Sequence, residues 1–315
     1  MTIAPFFQLK FPVFRSSPSK LSSLTEKKEK NMARRKLLLL LKPFDVYHVT
    51  QSKPVSHFTN PRVFHYLDNR RKVHKEAINF CQQILQKKAV DWKPILRNNL
   101  SQPIHNVDLV VTVGGDGTLL QASHFMDDSI PVLGVNSDPT QAEEVLDSFL
   151  EGQTVPSKLS RMSISVNSKS LSTYALNDIL IAHPCPATVS RFSLRIERDD
   201  QTCLSLVNCR SSGLRVSTAA GSTAAMLSAG GFAMPMLSRD LQYMVREPIS
   251  PGAAISSLMH GLIKSDQSMN VTWFSKEGLI YVDGSHVFYT IQNGDSIEIS
   301  SKAPVLQVVF PHLSS

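Results

Sequence analysis

The sequence has no apolar run of the roughly 18 residues that a helical membrane span needs. Its longest aliphatic stretch is Leu37 to Leu41, the length of a buried strand. Cysteine is scarce: Cys81, Cys185, Cys203 and Cys209 are the whole set, with no C-x-x-C spacing among them. That argues against a zinc site and reads as reduced thiols of a cytosol-like compartment. Two nucleotide signatures are also missing. G-x-x-x-x-G-K-[ST] does not occur, and G-x-G-x-x-G fails because Leu120 stands where its third glycine belongs. Asp and Glu are absent from the first 25 residues, which are rich in Ser with scattered Lys and Arg. That composition fits an organellar transit peptide, or a disordered extension with Met32-Ala33 as an alternative start. The C-terminal His312-Leu313-Ser314-Ser315 is not an S-K-L signal.

The chain has 315 residues, 42% of them hydrophobic, enough for about two domains with a sizeable core. Its net charge of +7 is unevenly placed. Residues 1–42 hold ten Lys/Arg against Glu26 and Glu29, leaving the remaining residues with 23 basic and 24 acidic side chains. A nucleic-acid binder carries its basic patch on the folded body, so no nucleic-acid partner is expected, and no membrane partner either.

From Lys36 the pattern becomes regular. Lys36 to Lys42 predicts a buried strand, and 67–86 an amphipathic helix with Val73, Ala77, Phe80, Cys81, Ile84 and Leu85 inward. Val107 to Val113 and Ile130 to Val135 predict strands, with a helix from Thr118 to Met126 between them. Strands alternating with helices imply a parallel α/β sheet. After about residue 150 short alternating runs recur: 162–166, 174–182, 191–197, 214–217, 271–274, 279–282, 287–292, 296–299 and 305–310. They read as a mostly β second domain. Gly221 to Gly231 reads as a helix packed close to backbone.

The sharpest signal is Val111-Thr112-Val113-Gly114-Gly115-Asp116-Gly117-Thr118. A strand ends in glycines and a helix begins, which lets backbone approach a ligand and offers unpaired N–H groups to phosphate. Asp116 is repulsive in such a cradle unless it holds Mg²⁺ or accepts a proton from an attacking hydroxyl. A tight turn with an Asp cap uses the same residue types. Two further segments stand out. Asn177-Asp178 interrupts the apolar run from Tyr174 to Ile181 and needs partners if buried, such as a ribose or a base edge; an edge or turn position is the alternative. Thr218 to Gly231 combines small residues with the hydroxyls of Thr218, Ser222, Thr223 and Ser228, suiting either a flat ligand or close helix packing. His124 reads as a helix-surface or core residue before a catalytic one, and Arg210 and Arg215 as members of a solvated strand face before phosphate ligands.

Together the three segments resemble the NAD kinase family over roughly residues 36 to 300. With Gly134-Val135-Asn136-Ser137-Asp138-Pro139-Thr140 and the Ala-rich third segment, the chain looks closest to the plant NADH kinase branch. The resemblance implies an N-terminal Rossmann-like α/β domain (34–150) after an extension (1–33), and a mostly β dinucleotide-binding domain (151–315) whose last strand is free to return to the first. It implies ATP as donor with Mg²⁺, NADH or NAD⁺ as substrate, a homodimer, and a cytoplasmic or organellar location. Asp116 would be the proton acceptor. Gly114, Gly115, Gly117, Thr118, Asn177, Asp178, Gly221, Ser222, Thr223, Ala224 and Ser228 would line the nucleotide sites, and no protein-only metal site is implied. Lipid kinases share the five-residue loop and supply the alternative.

The chain departs from the family pattern at Ala219, Ala220 and Ala225, where many members have Pro, Thr and Tyr, and at Ser212, where many have Asp. After Gln141 the segment usual in the family is shortened, and Glu143-Glu144-Val145 leads almost directly into the β region. A short form that binds nucleotide without turnover is therefore a second alternative.

Overall fold

The computed structural model describes residues 34–44, 61–135, 142–198, 201–249 and 256–310. The expected extension, the Asn136 to Thr140 stretch and Gln141 lie outside these residues. No described helix is long and apolar enough to cross a membrane.

The strands form three six-stranded sheets. In the first, β1 (Arg35–Leu41), β2 (Val90–Leu96), β3 (Leu109–Val113), β4 (Val132–Val135), β18 (Leu306–Val309) and β5 (Ser157–Leu159) lie in the order β2-β1-β3-β4-β18-β5. All pairs are parallel except β18 with β5. Side chains alternate across a strand. Leu37, Leu39 and Leu41 therefore face α1 (Pro61–Lys87) and α3 (Ala142–Leu150), while Leu40, Val110 and Val132 face α2 (Asp116–Ser123). A sheet covered on both faces accounts for an aliphatic run without polar interruptions.

The structure departs from the sequence reading in several places. Helix α3 forms where that reading has Glu143-Glu144-Val145 lead almost directly into the β region, and β5 joins this sheet unforeseen. β2, which that reading lacks, contains Pro94; it sits at the sheet edge, where a strand tolerates proline. Helix α1 starts earlier than expected, and Val73 is 37% exposed. His74 and Ile78 are buried instead, and the His74 ring bonds the Lys42 carbonyl at 2.9 Å.

The other two sheets are antiparallel. One runs β10 (Gln201–Ser211), β9 (Ser190–Arg198), β14 (Ser268–Trp273), β17 (Ser296–Ser300), β6 (Ser163–Val166), β7 (Lys169–Ser170). Its partner runs β13 (His260–Ile263), β12 (Leu241–Arg246), β11 (Gly213–Ser217), β8 (Asp178–Ala182), β15 (Glu277–Val282), β16 (Val287–Gln292). Phe192, Leu194 and Val271 from the first share one buried cluster with Ile179, Ile181, Val216 and Ile280 from the second, making a sandwich.

Strands β10, β12 and β13 are absent from the sequence reading, and β8 begins only at Asp178, not at Tyr174. The small-residue stretch is not one helix. A 3₁₀ turn, Ala220–Thr223, is separated from the short α4 (Ala225–Ser228) by Ala224, whose φ of −93° and ψ of −126° break the helical path.

Candidate active site

The phosphate loop occupies the carboxyl end of β3, the location where open α/β sheets bind ligands. Its glycines answer to different demands. At Gly114, with φ +154°, an added Cβ would stand 2.5 Å from Thr118 Oγ1 and 2.9 Å from Lys42 Cβ, so the fold itself excludes a side chain. At Gly115 a Cβ would meet nothing within 4 Å, and at Gly117 only Arg97 Nη1 at 3.5 Å. Both are exposed. No internal contact demands glycine at 115; bare backbone there is suited to a ligand approaching from outside.

Gly115 caps α2 and has no side chain to accept from the N–H groups at the start of the helix. Thr118, in the first turn, is 1% exposed, and its Oγ1 has no hydrogen-bond partner. A buried hydroxyl left alone costs about 1–3 kcal/mol, a cost a phosphate oxygen would remove. The Asp116 carboxyl is half-buried, and burial raises its pKa, partly offset by its own backbone N–H. The shift makes it a stronger base than a solvated Asp.

Asn177 and Asp178 sit where the chain enters β8, Asn177 in the bend just before the strand and Asp178 as its first residue. Asn177 is 8% exposed and its Oδ1 has no partner. Asp178 forms an ion pair with Arg215, which is therefore half-buried and engaged, not on a solvated face. Burial, then nearby Arg246, lowers the Arg215 pKa.

The third segment packs directly on the second. A Cβ on Gly221 would stand 2.1 Å from the Asn177 carbonyl oxygen, so only glycine admits this approach. Thr218 N–H donates to Asn177 O at 2.9 Å, and Thr218 Oγ1 accepts from Gly221 N–H at 3.2 Å. Ser222 is fully engaged internally: its hydroxyl donates to Ala219 O at 2.7 Å and accepts from Met234 N–H at 2.9 Å. Thr223 and Ser228 are exposed, and the Ser228 hydroxyl reaches Ala224 O at 3.5 Å. Leu176 and Ala220 join Ala122 of α2 in one buried cluster, so all three segments meet around that helix.

One residue of this assembly is missing from the sequence reading. Asp283, in the turn after β15, accepts from Leu176 N–H (2.8 Å), Asn177 N–H (2.7 Å), Asp178 N–H (3.1 Å) and His124 Nε2 (2.9 Å). The Asp283-Gly284 pair in a turn is the signal that pointed to it, but turn chemistry alone predicts a hairpin.

The chain is similar to known proteins in sequence and in fold. The family model for the ATP-NAD kinase N-terminal domain matches residues 23–153. A probable NADH kinase of Oryza sativa subsp. japonica is 52% identical, covering 89% of this chain and 98% of its own length. The NADH kinase of Arabidopsis thaliana is 59% identical, covering 89% and 97%. The rice alignment runs over 320 residues, more than the 89% of this chain that it uses, so the relative carries residues this chain lacks. Among solved structures, a yeast NADH kinase complexed with NADH matches with TM-score 0.65 at 17% identity, covering 88% of this chain and 84% of its own. An Archaeoglobus fulgidus NAD kinase in complex with ATP matches with TM-score 0.62 at 19% identity, covering 88% and 94%.

Proposed function

The chain belongs to the NAD kinase family, and from that premise we propose that it transfers the γ-phosphoryl group of ATP to the adenosine 2′-hydroxyl of NADH, giving NADPH and ADP. NAD⁺ is the second acceptor, giving NADP⁺. The relatives at 52% and 59% identity are NADH kinases by name, which favours the reduced dinucleotide.

The observation that carries the proposal is a half-buried carboxyl, Asp116, made more basic by burial and placed in the first turn of a helix with no side-chain cap. The attacking hydroxyl is a weak acid and a poor nucleophile at neutral pH. Asp116 takes its proton as the new O–P bond forms and the bond from the γ-phosphorus to ADP breaks. The backbone N–H groups at the start of α2 and the Thr118 hydroxyl hold phosphate oxygens. The Asn177 amide offers its partnerless Oδ1 to the adenosine.

Mg²⁺ fits this arrangement as an ion that comes with ATP. The described residues contain no cluster of three or more His, Cys, Asp or Glu able to hold a metal, and Mg²⁺ is usually held by one or two carboxylates plus substrate phosphates. Such an ion would neutralise phosphate charge, and of the phosphate loop's side chains Asp116 is the one that could hold it, the alternative to its role as proton acceptor.

A lipid kinase shares the loop but has no use for Asn177 and Gly221 packed against each other beside α2. The NADH kinase relatives favour turnover over nucleotide binding alone. The same proposal includes a homodimer, checked by light scattering, and a cytoplasmic location, checked with a C-terminal fluorescent fusion of the full chain. The deciding assay supplies ATP with NADH, NAD⁺ or diacylglycerol and reads NADP(H) and phospholipid. NADPH formation is expected; phosphatidate without NADP(H), or no product at all, overturns the reading.

A further inference from the structure

Asp283 occupies an expensive position. It is a non-glycine residue at φ +51°, a left-handed conformation costing about 1–2 kcal/mol. Its carboxylate side chain is fully buried. Both oxygens are used: Oδ1 accepts from Asn177 and Asp178 N–H, and Oδ2 from Leu176 N–H and His124 Nε2. Facing a carboxylate, Nε2 is the protonated ring nitrogen. The Asp283 N–H in turn donates to Asp178 O at 2.9 Å.

These partners lie on two different pieces of the site. Leu176 to Asp178 lead into β8 and carry the second segment. His124 is the C-cap of α2, the helix whose first residue is Asp116. One carboxylate therefore grips both the dinucleotide segment and the far end of the helix that presents the proton acceptor. Over its eight residues α2 is a rod of about 12 Å, so a tilt at His124 moves Asp116.

We propose that Asp283, acting through His124, is a positioning residue that sets where Asp116 stands relative to Asn177 and Asp178. The inference rests on the kinase reading above and adds the device that aligns its two halves. The His124 link differs from an ordinary structural bond in what its loss should do. The phosphate loop moves with α2 as a unit, so ATP binding survives. Asn177 and Asp178 remain held by Asp283, so dinucleotide binding survives. Only the alignment for transfer is lost, and misplacement by about 1 Å can cost about 10²-fold in rate.

Two amides of like polarity test this in the full-length protein. In His124→Gln the amide nitrogen reaches the place of Nε2 and keeps the bond; in His124→Asn it falls short. For His124→Gln we expect kcat within about threefold of wild type. For His124→Asn we expect kcat down about 10- to 100-fold, with KM for ATP and for NADH each within about twofold. Asp283→Asn, which turns an NH₂ toward N–H groups, should lower kcat and also raise the NADH KM, sparing the ATP KM. Equal kcat for the Gln and Asn variants overturns the proposal, as does a parallel rise of both KM values with a fall in melting temperature. A wild-type protein that makes no NADP(H) overturns the kinase reading instead.

Discussion

The contrast between Gly114 and Gly115 separates what the fold needs from what a ligand needs. Gly114→Ala places a methyl group 2.5 Å from Thr118 Oγ1 and 2.9 Å from Lys42 Cβ, at φ +154°. Overpacking of this kind costs about 1–3 kcal/mol, and the backbone conformation adds about 1 kcal/mol. For a domain of 150–250 residues each kcal/mol is worth about 2–4 °C in Tm. Gly114→Ala should therefore melt several degrees early and lose activity with its stability. Gly115→Ala meets no atom within 4 Å and sits at φ −83°, open to any residue. The loss of a favourable glycine cap and the gain from a stiffer unfolded chain are both below about 1 kcal/mol and opposed. Its Tm should stay within about 2 °C of wild type. If phosphate rests against this backbone, however, the methyl group blocks it, and the ATP KM should rise at least about tenfold, equivalent to about 1.4 kcal/mol. Thermal melts beside ATP-dependent kinetics measure both. A Gly115→Ala protein with wild-type Tm and wild-type ATP KM would refute the placement of phosphate on this loop.

Other perturbations bear on the same site. Gly221→Ala drives a Cβ to 2.1 Å from the Asn177 carbonyl; the displaced Asn177 should raise the NADH KM more than the ATP KM, seen by varying each substrate in turn. Thr118→Val removes a buried hydroxyl that has no internal partner, so Tm should hold or rise while ATP affinity, measured by calorimetry, falls. Burial raises the Asp116 pKa, so the folded protein binds that proton more tightly than the unfolded chain. The ionised form then destabilises the fold at neutral pH, an effect that fades as pH falls through the raised pKa. Asp116→Asn should accordingly melt above wild type at pH 7, by a margin that shrinks in acid, while the acid limb of the wild-type rate profile falls above the pH expected for a solvated Asp.

Much of this was legible in the sequence because the relevant signals are local. Leu37 to Leu41 and Val107 to Val113 read as buried strands since both sheet faces are covered, though the second begins only at Leu109, and the glycine-rich turn announces a bare helix start. The third segment reads as small and close-packed, and Gly221 against Asn177 shows why. What escaped notice depends on long-range neighbours. β2 is tolerated with Pro94 only because it lies at an edge. Ser222 offers a hydroxyl to a ligand in the sequence but spends it on Ala219 and Met234 in the fold. Asp283 lies 159 residues from His124, a separation no periodicity reports.

The most direct test of the central claim is kcat for ATP-dependent phosphorylation of NADH by Asp116→Asn. Loss of a general base costs about 10²–10⁴-fold, and that fall is the predicted result, with the protein folded and both KM values near wild type. Turnover at the wild-type rate would contradict it.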